Sequence, residues 1–339
     1  MRSTKAVVAS VLGVALATGV GAAPARAATE GAPACVDVRL PVALAPGLAR
    51  TEAIDGTLCL PTTRTTQVDV LIHGAAYNRS YWDWPVAPHT YSYVHRTLDA
   101  GRATFAYDRL GAGTSTHPPS TLLTPQSDAY VLHQVVVALR QHWFTTVDAV
   151  GHSFGSIVAV QEAATFHDTD RLVVTGLLHQ EKAVTPPSSI FYPAQNDPQF
   201  AGRGLDAGYA TTKPGTRGPA FFSSSADPEV IAYDEAHKDT VSATDLTIGL
   251  PASQLPPALN AAAGVTVPVL VLDGAQDALF CGSTVNCADP AGVAANERSF
   301  YTSAPSLDVV LVPGTGHSVA LHPSAAESFD AIDTWICGP

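Results

Sequence analysis

The sequence predicts an α/β protein: a mostly parallel central sheet, flanked by helices, with a cap inserted into it. Three observations predict this. Short apolar runs alternate with helical stretches from residue 68 onward. Most of these runs are apolar along their length instead of alternating, as strands covered on both faces by helices are. One long stretch, residues 184–263, breaks the rhythm with Pro, Gly, Ser and Thr.

The elements follow in order. Residues 28–66 read as an irregular lead-in with short strands, one of them over 57–60. Strands are expected at 68–72, 103–107, 146–150, 172–178, 267–272 and 307–312. Thr124 offers an N-cap and Pro125 a first helical position. Leu132, Val135, Val136 and Leu139 then recur at helical spacing and make one apolar face. A second helix is expected over 154–166, and Phe329, Ile332, Trp335 and Ile336 mark a last one. Residues 184–263 are too many for a plain loop in a compact domain. They are expected to form a cap, with short helices near 228–237 and 245–250. The sheet-forming core then consists of two parts, 28–183 and 264–339.

The chain has 339 residues, enough for one large domain or two smaller ones. Its net charge is −12, and no Lys/Arg cluster offsets that. Binding of nucleic acid through charge is therefore not expected. Residues 1–27 read as a signal peptide: Arg2 and Lys5, an apolar run over 6–21, and an A-x-A site at Ala25-Arg26-Ala27. Cleavage near Ala27-Ala28 would release a secreted protein. The run is too short and too rich in Gly and Ala for an anchor, so no stable membrane insertion is expected.

Export permits disulfides. Five cysteines are present: Cys35, Cys59, Cys281, Cys287 and Cys337. Local spacing favours Cys35–Cys59 and Cys281–Cys287 and leaves Cys337 free, with Cys287–Cys337 as the alternative. There is no C-x-x-C pair, no H-E-x-x-H and no G-x-G-x-x-G after the first strand, so neither a metal nor a cofactor is expected.

The strongest chemical signal is Gly151-His152-Ser153-Phe154-Gly155, a G-x-S-x-G between an expected strand and an expected helix. Such a turn exposes the serine and points free helix N–H groups at a developing oxyanion. A serine hydroxyl needs a base, and a histidine base needs a carboxylate to fix its tautomer. Asp277 and His317 follow the last two expected strands, in the chain order Ser, acid, His. Asp273 competes with Asp277 for the acid role. His152, beside the serine, is expected to pack under the turn. His73-Gly74-Ala75-Ala76 ends the first core strand, so the N–H groups of Ala75 and Phe154 are expected to form the oxyanion hole. Tyr77, Tyr81, Trp82 and Trp84 follow closely and are expected as an aromatic wall of the substrate pocket, Tyr81, Trp82 and Trp84 foremost, or else as core.

These residues together resemble the α/β-hydrolase superfamily, over roughly residues 68–336. Asp108-Arg109-Leu110-Gly111-Ala112-Gly113-Thr114-Ser115 resembles the D-R-x-G-x-G-x-S stretch of its lid-bearing branch, which includes esterases, C–C hydrolases, perhydrolases and epoxide hydrolases. Serine at the elbow points away from epoxide and haloalkane chemistry. The lack of H-G-G-G points away from the hormone-sensitive-lipase-like branch. The resemblance implies an α/β-hydrolase fold and an acyl-enzyme mechanism, with Ser153 as nucleophile, His317 as base and Asp277 as its partner. A secreted hydrolase of a small, moderately apolar ester or lactone is the first expectation. An exported peptidase or amidase is the second, with Glu181, Asp227, Glu229, Asp234 and Glu235 as possible partners for a substrate amine. A non-catalytic binding protein is the third, which the complete Ser, Asp, His order disfavours. The oligomeric state is not legible.

Overall fold

The computed structural model describes residues 33–180, 187–282 and 285–338. The expected leader, 1–27, and Glu181 lie outside them. The strands are β1 (Ala34–Val42), β2 (Glu52–Leu60), β3 (Gln67–Ile72), β4 (Ala103–Tyr107), β5 (Thr146–His152), β6 (Arg171–Thr175), β7 (Phe191–Pro193), β8 (Tyr209–Thr212), β9 (Val241–Ser242), β10 (Val269–Gly274) and β11 (Leu307–Val312).

Eight of them form one sheet in the order β1-β2-β4-β3-β5-β6-β10-β11. β2 runs antiparallel to β1 and β4, and every other pairing is parallel. The strands β3, β4, β5, β6 and β10 are buried almost throughout, as continuous apolar runs between two helical layers must be.

The helix Pro125–His142 starts where the sequence puts it. Thr124 Oγ1 accepts from the Ser127 amide, and the Thr124 amide donates to Ser127 Oγ, a reciprocal capping box. Leu132, Val135, Val136 and Leu139 are its buried face. The helix Phe154–Phe166 follows β5 directly, and Ala325–Cys337 buries Phe329, Ile332 and Ile336.

Three expectations change. The strand expected over 172–178 stops at Thr175, because Gly176 turns the chain with φ +60°. The lead-in holds two full strands instead of fragments. β1 pairs with β2 in a register that puts Cys35 opposite Cys59, and these are bridged. The helix Pro290–Phe300, unforeseen, packs before β11.

Between β6 and β10 the chain leaves the sheet and then returns to it, since Val269 pairs with Leu172. The described part of this excursion contains a small antiparallel sheet, β7-β8-β9, and the helices Pro228–Ala236 and Ala243–Ser253, close to the expected positions. Among the described residues, no helix is long and apolar enough to cross a membrane.

Candidate active site

Ser153 sits between β5 and the helix Phe154–Phe166 with φ 53° and ψ −118°. A side chain rarely adopts that conformation, and the surroundings enforce it. The Ser153 amide donates to the Thr175 carbonyl at 2.8 Å, and the Ser156 amide donates to the Ser153 carbonyl at 2.9 Å. The flanking glycines are required by space: a Cβ at Gly155 would collide with the Ile72 carbonyl, and one at Gly151 would lie 2.6 Å from Ser156 Cα.

Asp277 and His317 lie beyond β10 and β11. His317 Nδ1 is 2.8 Å from Asp277 Oδ2. The other Asp277 oxygen accepts from the Leu279 amide at 2.6 Å. A carboxylate only accepts, so the imidazole proton belongs on Nδ1 and the lone pair on Nε2. No hydrogen bond joins Ser153 Oγ to His317 among the described residues, although both face the same cavity. Asp273, the competitor, does not reach His317. It is buried at the end of β10, and its Oδ1 accepts from the Gly274 amide. Burial, and then the charge of Asp277, push its pKa well up, which favours its protonated form.

The loop after β3 turns at Gly74, where a Cβ would stand 3.1 Å from Ser153 Cβ. Ala75 and Phe154 both border the cavity. The Phe154 amide is the first of its helix and has no acceptor within it. Ala76 has φ 55°. Its carbonyl is held from the excursion by two donors, the Asp239 amide and Arg217 Nη1, each at 3.0 Å. His73 ties the same loop to the Asp108–Ser115 stretch: its Nε2 accepts from the Arg109 amide at 3.0 Å, and its Nδ1 donates to the Gly74 carbonyl at 2.9 Å. Asp108 in turn accepts from the Arg79 and Thr114 amides, so this stretch is scaffolding.

A sequence model described as the alpha/beta hydrolase family matches residues 70–327. The chain belongs to that family. No curated protein is significantly similar in sequence. Among solved structures, it is similar to a highly thermostable carboxyl esterase from Bacillus coagulans, with a TM-score of 0.62 at 16% identity over 90% of this chain and 98% of that one. It is also similar to a thermophilic esterase from Thermogutta terrifontis, with a TM-score of 0.59 at 19% identity, covering 89% and 98%. A bromoperoxidase from Bacillus anthracis aligns with a TM-score of 0.54 at 17% identity, covering 84% and 96%. These likenesses establish the fold, and this fold hosts more than one chemistry.

In this α/β hydrolase the cavity over Ser153 measures about 90 Å³. Its walls are mostly apolar: Ala75, Tyr77 and Phe154 from the core, Phe221, Leu246 and Leu250 from the excursion, and Leu279 and Phe280 from the loop after Asp277. The last loop is closed by the disulfide Cys281–Cys287, and Cys337 remains free, as the spacing suggested.

The aromatic residues Tyr81, Trp82 and Trp84 are not on the cavity wall, which corrects the expectation that they bind substrate. All three are buried in the core. Tyr81 stacks on His152 with centroids 4.2 Å apart, Trp82 meets Tyr93 edge-on at 5.4 Å, and Trp84 meets Tyr233 at 5.1 Å. Asn78 caps the short turn Arg79–Tyr81, and beyond it the chain turns these rings beneath the elbow. His152 packs under the turn as expected, and burial drives its pKa well down, so it is neutral support. Sequence reading missed Phe221, Phe280, Leu246 and Leu250, which are distant in the chain and carry no local signature.

Proposed function

We propose that this α/β hydrolase is an exported serine hydrolase that cleaves small carboxylic esters or lactones through an acyl-enzyme. One observation carries the reading: a serine on a strained elbow shares a small apolar cavity with a histidine whose Nδ1 is bonded to a buried carboxylate. Ser153 Oγ attacks the carbonyl carbon while His317 Nε2 takes its proton. The oxyanion is held by the N–H groups of Ala75 and Phe154. His317 returns the proton to the leaving alkoxide, and the acyl group stays on Ser153. A water deprotonated by His317 then releases the acid and restores the serine.

The cavity sets the substrate size. A small cavity of about 90 Å³ with mostly apolar walls supports a short acyl group. Residues 184–263 act as the cap, since Phe221, Leu246 and Leu250 close one side of it. The esterase likenesses point the same way. The leader and the two disulfides support export.

Among the described residues, no acid that the peptidase reading invoked borders the cavity, and Glu181 lies outside them. Asp234 is paired with Arg217, Glu235 with Lys238, and Asp227 caps a helix. Neither these nor Glu229 borders the cavity. The deciding experiment is a panel of p-nitrophenyl esters, lactones and peptide p-nitroanilides with wild type and Ser153→Ala. Short-chain ester or lactone turnover that vanishes in the variant is expected. Turnover of anilides alone would replace the reading with the peptidase.

A further inference from the structure

Glu162 lies in the last turns of the helix that begins at the nucleophile, and it is fully buried. Neither of its carboxyl oxygens has a hydrogen-bond partner among the described residues. Asp168 Oδ1 and Thr169 Oγ1, just beyond the helix, are likewise buried without a well-aligned partner, although both lie close enough to Glu162 to shift its titration. His133, on the helix Pro125–His142, completes the group, with Nδ1 2.7 Å from Asp168 Oδ2. One donor atom each from His133, Glu162 and Asp168 all fall within 4.8 Å of one another.

A buried carboxylate without a partner is costly by several kcal/mol. The Arg140 guanidinium relieves it only in part. Arg140 spends Nε and Nη2 on the Asp168 carbonyl, Nη2 also on Asp170, and Nη1 on the Thr145 carbonyl. What the cluster lacks is a positive charge that can take oxygen and imidazole ligands together.

We propose that His133, Glu162 and Asp168 bind one divalent cation of the zinc class at the end of the nucleophile helix remote from Ser153. Two carboxylates balance its charge. An imidazole with two carboxylates suits zinc and its first-row neighbours, whereas calcium and magnesium take oxygen ligands. Ligand bonds of about 2.0–2.2 Å require donor atoms about 3.4 Å apart, so the side chains must draw in by about 1.4 Å at most. His133 and Asp168 are part-exposed, which gives the ion an approach from solvent and leaves a water position as the fourth ligand. The His133 ring is held for the role by stacking on Phe166, with centroids 4.2 Å apart. The carboxyl end of a helix dipole also favours a cation. Its residues are not a contiguous motif, so no local pattern marks the site.

The role is positional. Glu162 is nine residues from Ser153 in the helix, or about 13 Å along its axis, so the ion does not touch substrate. It joins that helix to Pro125–His142 and to the turn leading into β6, whose Thr175 carbonyl holds the Ser153 amide.

The test uses the mature chain, chelator-treated, with Cys337→Ser to remove the exposed thiol. Zinc chloride is titrated by calorimetry and Tm is recorded. One saturable equivalent is expected, with a rise of several degrees in Tm at saturation. Glu162→Gln, which keeps the shape, and His133→Ala, at a part-exposed position, should each weaken binding at least tenfold. The absence of a one-equivalent site overturns the proposal, as does binding unchanged in both variants. In either case Glu162 is simply protonated against Asp168.

Discussion

His317 Nδ1 and Asp277 Oδ2 are 2.8 Å apart, and both side chains are sealed from solvent. Asp273, four residues earlier, is as deeply buried; it accepts from the Gly274 amide and lies against Asp277 instead of His317, and burial favours its protonated form. The two aspartates thus have opposite consequences when changed to asparagine. Asp277→Asn puts an amide where His317 needs an acceptor, and should lower kcat by about 10³–10⁴. Asp273→Asn replaces one neutral group with another of the same shape and should stay within about tenfold. Steady-state kinetics on a short-chain ester, with Tm as control, decides; a larger loss in Asp273→Asn would reverse the assignment.

Arg217 is fully buried and holds Asp234 through two bonds, Nε to Oδ2 at 2.6 Å and Nη2 to Oδ1 at 2.7 Å. Its third nitrogen donates to the Ala76 carbonyl, next to the expected oxyanion amide of Ala75. Lysine keeps the charge but has no planar fork. Arg217→Lys should therefore lower kcat about 10–100-fold with KM nearly unchanged, because the oxyanion forms only in the transition state. Part of the loss will also appear as reduced stability. If KM rises while kcat holds, Arg217 shapes the pocket and does not position the loop.

What the sequence made legible was local. Thr124 and Ser127 cap their own helix, and the glycines around Ser153 are needed within a few residues of it. Features formed across the chain were not. β1 is half exposed on the sheet edge, so it lacks the continuous apolar run that marks β3 or β10. Tyr81, Trp82 and Trp84 are near the oxyanion loop in sequence, but a short helical turn sends them into the core. The cavity wall joins Phe154 to Phe221, Leu246 and Phe280, and only the folded excursion brings those together.

Leu250 is a half-buried wall residue on the helix Ala243–Ser253. Leu250→Ala opens the cavity without touching Ser153 or His317. The preferred acyl chain should lengthen by about two carbons. Each methylene newly accommodated contributes about 0.8 kcal/mol, or about fourfold in kcat/KM. A p-nitrophenyl ester series from acetate to octanoate reads this directly. An unchanged chain-length profile would mean that the acyl group occupies another part of the site.

His73 gives a pH dependence of stability. Burial, and then the charge of Arg109, lower its pKa to about 3. It stays neutral in the fold, donating from Nδ1 and accepting at Nε2, whereas in the unfolded chain it titrates near about 6.5. Between these values the unfolded state binds one more proton, so His73 makes the fold less stable as pH falls below about 6.5. The slope is about 1.4 kcal/mol per pH unit, or about 2 kcal/mol by pH 5. Buried acids with raised pKa, such as Asp273 and Asp245, act in the opposite sense, because the fold keeps protons that the unfolded chain gives up. Wild type alone therefore mixes the two effects, and the informative quantity is a difference. The drop in denaturant-derived stability from pH 7.5 to 5.0 should be smaller in His73→Asn than in wild type by about 2 kcal/mol. Equal drops in the two proteins would show that His73 takes up its proton in the fold as readily as in the unfolded chain.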